Sequence, residues 1–302
     1  MLSNEIMKKA WKQHVIVPAF NIPYIPMMEP IIQAARDEDA FCQVAVARLE
    51  WIKFEAQSME AIAAEFHRLK PGDHVRLHQD HIPVIDEDDL RVPYQDLIRK
   101  AIDLGYQSVM VDGSRLPLEE NIAATREVVE IAHPANIPVE AELGAVLGHE
   151  ADPTMTYDEI VRTRSGFTSV EETRRFVAET GCDWLSVAFG NIHGAVSEAL
   201  RHQKKVAARL DIDHLKTLSG AAGIPLVLHG GSGIPKEGIL DAVQNGIAKI
   251  NIGTEVRQTY EQALADGGDT AAAQKAVYEK TRWMLREFFA ISGTRESVRG
   301  GL

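Results

Sequence analysis

The chain has 302 residues, 45% of them hydrophobic and 25% charged, which is enough apolar content for a sizeable globular core. Its net charge of −12 excludes the broad basic surface that binds nucleic acid or an acidic membrane, so an anionic ligand has to be held by local devices such as backbone N–H groups and one or two arginines. The two cysteines, Cys42 and Cys182, form no paired motif, and neither an export signal nor an apolar run of about 18 residues is found; a reduced, cytoplasmic protein with no membrane span is expected.

Short apolar or β-branched runs recur along the chain at Val15–Ile22, Phe41–Arg48, His74–His81, Ser108–Ser114, Ile137–Val146, Trp184–Gly194, Pro225–Ile234 and Ile247–Val256. Most are continuous rather than alternating, as strands of a buried parallel sheet should be. Between them, Ile25–Asp37, Glu55–Leu69, Tyr94–Leu104, Leu118–Ala132, Val170–Thr180, Asp213–Ala222 and Lys236–Asn245 carry helical periodicity. Gly105, Gly181, Gly223 and Gly246 stand where such helices stop, and Ser169 stands where one starts. This alternation predicts an α/β fold, a single (β/α)8 TIM barrel over residues 1–302. An open doubly wound sheet is the alternative, weakened because no G-x-G-x-x-G follows the first strand. Two further helices, Glu255–Ala265 and Thr270–Phe289, follow the eighth strand, and a mobile tail is expected over 293–302. Ile82–Pro93 and Glu150–Phe167 are longer than a connection needs, which suggests either lids or solvated decoration.

In a barrel of this kind functional groups sit at the C-terminal ends of strands. Three of the eleven histidines fall there, His81, His193 and His229. Three imidazoles on separate rigid elements suit an open zinc site, against three separately hydrogen-bonded histidines; Asp80 beside His81 favours the metal. Gly230-Gly231-Ser232-Gly233 precedes Pro235, and such a loop at a helix start exposes N–H groups to a phosphate. An ordinary glycine-rich turn is the alternative, and the neighbouring Asn251-x-x-Thr254 strengthens the phosphate reading.

Together these motifs resemble the class II, zinc-dependent ketose-bisphosphate aldolases, the fructose- and tagatose-bisphosphate family. The resemblance runs from Val17-Pro18-Ala19-Phe20-Asn21 to Thr254-Glu255-Val256-Arg257. It is carried most specifically by Ser108–Ser114, Val139–Gly144, Gly190-Asn191-Ile192-His193-Gly194 and Leu228–Gly233. It implies that His81, His193 and His229 hold Zn2+ and that Asp80 is the acid/base. Glu142 would lie beside the metal, and Glu150 would be a loop glutamate exchanging a proton. Gly194, Gly230, Gly231, Ser232 and Asn251, Ile252, Gly253, Thr254 would cradle the phosphate of dihydroxyacetone phosphate, with a monovalent cation, Na+ or K+, nearby. Asn21 would also bind the phosphate or the substrate, and Asp112 and Ser114 are further candidates around the site. The implied reaction is reversible aldol cleavage of a phosphorylated ketose by a homodimer or homotetramer, with no lysine Schiff base.

Three departures from the family pattern stand out. Ile82 replaces the glycine after Asp-His, the lid reads Leu147-Gly148-His149-Glu150-Ala151, and Gly253 replaces an aspartate that touches the distal half of the sugar. All fall on the aldehyde side. Arg257, or Arg162 and Arg164, could receive an anion there; surface ion pairs are the alternative. Rival readings are a non-catalytic sugar-phosphate-binding relative, a zinc-dependent lyase or epimerase on the same barrel, and a zinc hydrolase.

Overall fold

The computed structural model describes residues 1–144, 159, 162–191, 209–231 and 233–299. Eight strands, β1 (Val17–Asn21), β2 (Cys42–Ala47), β3 (Val75–Pro83), β4 (Ser108–Asp112), β5 (Val139–Leu143), β6 (Trp184–Val187), β7 (Leu226–Leu228) and β8 (Ile247–Ile252), form a closed barrel in sequence order. Every pairing is parallel, including β8 back onto β1. The (β/α)8 TIM barrel expected from the alternation of runs is therefore the observed fold, with extra helices at Thr254–Ala265 and Thr270–Trp283.

Local sequence explains most helix ends. The Ser58, Ser169, Asp211 and Asp269 side chains each accept a backbone N–H in the first turn of the helix that follows. Gly181 and Gly223 stop their helices in the left-handed conformation (φ 69° and 63°) that glycine adopts at little cost. One main core joins the outer helices to the sheet. A second lies at the N-terminal ends of the strands. There Val17, Phe41, Trp184, Val227 and Ala248 meet Ile6, Met7 and Ala10 from the helix Ser3–Lys12, so that helix closes the bottom of the barrel.

Several boundaries differ from the sequence reading. The helix expected over Glu55–Leu69 starts at Met59, because Ser58 caps it and Gln57 has a positive φ of 64°. A short helix, Arg48–Lys53, precedes it. The helix expected to Phe289 changes to a π turn over Met284–Phe288. The long Ile82–Pro93 connection is locally ordered rather than loose decoration. An Ile85–Arg91 bridge closes it, and Asp86 accepts from the Asp88 and Leu90 N–H groups at 3.1 and 2.9 Å and pairs with Arg48 at 3.4 Å.

The expected mobile tail is also corrected. Arg295–Arg299 is helical, and Val298 is fully buried in the bottom core. Glu38 fastens this end. Its carboxylate accepts from Arg282 (2.7 Å), Arg286 (2.8 and 3.0 Å) and Ser292 (2.8 Å), and its carbonyl accepts from Gly293 N. Burial raises the Glu38 carboxyl, but those bonds outweigh it and hold it below its ordinary value. Its contribution is thus present above the unfolded value of about 4.3 and lost as pH falls through the lower folded value. Glu38→Gln should cost about 1–3 kcal/mol in urea unfolding at pH 7 and flatten the acid side of the stability profile. Unchanged stability at pH 7 would remove Glu38 as the anchor.

Candidate active site at the barrel mouth

The site begins with an irregularity in β3. On a regular strand Asp80 and His81 would face opposite sides of the sheet. The β3–β4 register slips between Gln79 and Ile82, and His81 takes a positive φ of 29°. A slip of this kind re-aims a side chain, and here both residues end up against His229: Asp80, His81 and His229 bring one ligand atom each to within 4.8 Å of one another.

Two imidazoles meet head-on. His81 Nε2 lies 2.7 Å from His229 Nδ1, with the rings nearly perpendicular at 86°. The opposite nitrogen of each ring faces a carboxylate: His81 Nδ1 is 3.0 Å from Asp112 Oδ2, and His229 Nε2 is 2.8 Å from Glu140 Oε1. A carboxylate accepts, so each ring can donate there and turn its other nitrogen toward the facing ring. At 2.7 Å those two nitrogens have to share a cation, either a proton carried by His81 or a metal ion in its place. Carboxylates orient metal-binding histidines in the same way. Burial lowers the proton affinity of His81, but Asp80, Asp112 and Glu142 outweigh it and lift it to about 10, so the pocket favours positive charge. The donor set therefore fits a divalent ion such as zinc.

The carboxylates are themselves held. Ser114 donates to Asp112 Oδ1 from both its hydroxyl (2.6 Å) and its N–H (3.0 Å). Glu142 Oε2 stands 3.7 Å from His81 Nδ1. Glu140 is fully buried and meets Lys249 Nζ at 2.8 and 3.0 Å; Lys249 is fully buried too and also donates to Asn251 Oδ1 at 2.7 Å. Burial alone would raise Glu140, yet Lys249, His229 and His78 bring it down to about 2. Asp80 receives Asn21 Nδ2 at 2.8 Å and Asn251 Nδ2 at 2.9 Å on both oxygens. Burial opposes its charge, but His81, His78 and Lys249 hold it well below the carboxylate range. It is held as an ionised carboxylate.

Not every expected residue behaves as the sequence suggested. The side chain of Asn251, a residue expected in the phosphate cradle, bonds Asp80 and Lys249. Gly230 has a positive φ of 68°, and a side chain at Gly231 would meet Ile250 Cδ1 at 2.6 Å, so that turn needs glycine. Helices begin at Lys236 and at Thr254, the latter capped by Gly253 after Ile252, and direct N–H groups toward the mouth. His193, Gly194, Glu150 and Ser232 lie outside the described residues. Arg257 is paired with Glu261 at 2.7 Å and sits over the Phe54 ring, and Arg164 is paired with Asp211 at 2.7 Å. Both therefore show the ion pairs that were the alternative to anion binding.

Sequence reasoning gave no role to Glu140, Lys249 or Glu50. The Glu140-Ala141-Glu142 spacing was a usable signal, since alternate residues of one strand share a face. Glu50 Oε2 accepts from Ala47 N at 2.8 Å, and its carboxyl is hydrogen-bonded to Asn21. Burial pushes it up to about 8, opposed by the Ala47 bond and reinforced by the charge of Asp80. No surface pattern marks such a residue.

The family model for class-II fructose-bisphosphate aldolases matches residues 2–297. The chain belongs to that family. It is an aldolase, a carbon–carbon lyase. A 6-phospho-5-dehydro-2-deoxy-D-gluconate aldolase of Halalkalibacterium halodurans is 34% identical over 97% of this chain and 98% of its own length. A fructose-bisphosphate aldolase of Streptococcus pyogenes serotype M1 is 39% identical over 65% of this chain and 62% of its own. Among solved structures, the YdjI aldolase from Escherichia coli K12 is 28% identical with a TM-score of 0.77, covering 98% of this chain and 100% of that one. The family is generally zinc-dependent, in keeping with the histidine–carboxylate cluster. Among the described residues no helix is long and apolar enough to cross a membrane.

The Glu140–Lys249 pair can be checked directly. Lys249→Met leaves a buried carboxylate without its cation and should destabilise the fold by about 3–5 kcal/mol in urea unfolding. A loss below about 1 kcal/mol, the range of an exposed pair, would show that the two charges do not depend on each other.

Proposed function

We propose that this aldolase is zinc-dependent and reversibly cleaves a ketose carrying phosphate on the carbon next to its carbonyl, releasing dihydroxyacetone phosphate and an aldehyde. The observation that carries this reading is the close His81–His229 nitrogen pair, each ring backed by a carboxylate, with the ionised Asp80 beside them. Both named relatives support the phosphorylated half. A bisphosphate of fructose and a 6-phospho-5-dehydro acid both place a ketone beside a phosphorylated carbon, and they differ at the far end.

His81, His193 and His229 would hold zinc, which when bound polarises the ketose carbonyl and stabilises negative charge on the three-carbon fragment. Gly230, Gly231, Ile252, Gly253 and Thr254, with Gly194 and Ser232, would receive the phosphate through backbone N–H groups and a hydroxyl, with Na+ or K+ nearby. In the cleavage direction Asp80 removes the proton from the C4 hydroxyl. The C3–C4 bond then breaks, C4 becomes the aldehyde carbonyl, and the electron pair stays with the three-carbon fragment until C3 is protonated, a role for Glu150. Asn21 and Asn251 keep both Asp80 oxygens aimed at the C4 hydroxyl. A carboxylate has about four acceptor positions, so the substrate hydroxyl still finds one. Lys249 cannot act as a Schiff-base nucleophile, because it is buried against Glu140. The chain would work as a homodimer or homotetramer.

A coupled assay for dihydroxyacetone phosphate over a panel of ketose phosphates tests the reading. Cleavage of at least one, abolished by a chelator and restored by Zn2+, is expected; full activity after metal removal rejects it. Asp80→Asn should retain the metal but lower kcat by about 10²–10⁴-fold, and an unchanged kcat would reject Asp80 as the acid/base.

A further inference from the structure

We propose that Glu50 is a specificity-determining residue that hydrogen-bonds a hydroxyl on the aldehyde half of the substrate, so that this aldolase takes a neutral, polyhydroxylated tail in preference to one ending in phosphate or carboxylate. This rests on the aldolase reading above and names the substrate class of the same site. If Asp80 takes the proton from the C4 hydroxyl, the aldehyde carbons would lie on the Asp80 side of the site. The next side chain out from Asp80 is Asn21, 2.8 Å away, and beyond Asn21 is Glu50. Glu50 belongs to the helix Arg48–Lys53 that follows β2, and Ala47, whose N–H it accepts, is the register partner of Asp80. The carboxyl is therefore fixed on the aldehyde side by a backbone bond and an amide.

The described cations on the elements around Glu50 are already paired. Arg48 is paired with Asp86, Lys53 with Glu87 at 3.0 Å, and Arg257 with Glu261 while stacked on Phe54. Glu261 also accepts from the Tyr24 hydroxyl at 2.8 Å. No lysine or arginine among the described residues pairs with Glu50 itself. Whether neutral or charged, Glu50 adds no positive charge, and the Arg257–Glu261 pair is neutral as a unit. A terminal phosphate or carboxylate beside Glu50 would meet no free countercharge among these described residues. A hydroxyl can donate to a carboxylate or accept from a carboxylic acid, so it suits Glu50 in either state. Space is present as well: a side-chain atom built on Gly253 would meet only Asn21, at 3.6 Å or beyond.

The test compares kcat/KM for condensation of dihydroxyacetone phosphate with glyceraldehyde, glyceraldehyde 3-phosphate and malonate semialdehyde, in the wild type and in Glu50→Ala and Glu50→Gln. The wild type should prefer glyceraldehyde over both anionic aldehydes by about tenfold or more, the scale of one buried polar group left unpaired. Glu50→Ala should cut that preference about tenfold, and Glu50→Gln, which can still bond a hydroxyl, should keep most of it. Each preference is a ratio within one protein, so a general loss of folded enzyme cancels. A wild type that favours either anionic aldehyde, or an unchanged ratio in Glu50→Ala, overturns the assignment. Exchange of the dihydroxyacetone phosphate C–H proton with solvent by the wild type separates the two readings. Exchange with the wrong aldehyde preference refutes only the role of Glu50, whereas no exchange and no condensation refute the aldolase reading itself.

Discussion

Everything at the barrel mouth depends on a carboxylate that has no contact with water. Glu140 lies fully buried between Lys249 and His229. An isolated charge in that position would be prohibitively costly; the lysine makes it tolerable, and the charge in turn fixes the tautomer of His229. The His229 nitrogen that faces His81 is set by this bond, and the one opposite it by Asp112. The same arrangement decides which chemistry is possible. A lysine committed to keeping Glu140 charged is poorly placed to act as a nucleophile, which agrees with the metal-dependent reading proposed above.

The barrel was legible because burial on both faces writes itself as continuous apolar runs, and each of the eight runs holds one strand. Helix ends marked by Ser169, Gly181 and Gly223 were legible for the same local reason, a side-chain oxygen or a left-handed turn. The tail was misread because its order is tertiary: neither Glu38 nor the arginines that bind it are unusual in sequence, and only the fold brings them together. The Arg48–Lys53 helix has one turn and a half, too short for periodicity to show.

At the site, the histidine pair and Asp80 were readable from their places at strand ends. Their supporting partners were not. Glu140 and Lys249 are separated by about a third of the chain, and nothing in either strand marks it as half of an ion pair. Asn251 was placed by its motif near a phosphate, while its amide serves Asp80. A motif records which residue types travel together and leaves open which atoms meet. Arg257 makes the same point: its position suggested an anion, and its guanidinium is already engaged by Glu261.

The slipped register of β3 has a consequence for how chains of this kind can vary. Asp80 and His81 act on one point although they are adjacent on a strand, and this holds only while the chain between Gln79 and Ile82 keeps its irregular backbone. Losing one residue there would restore the pleat and carry one of these two side chains to the outer face. Loops above the barrel can change length freely, whereas this segment is fixed in length even where its composition drifts, as Ile82 already shows. Constancy of spacing at a strand interior is thus a more durable marker of this chemistry than the identity of the residue that follows the histidine.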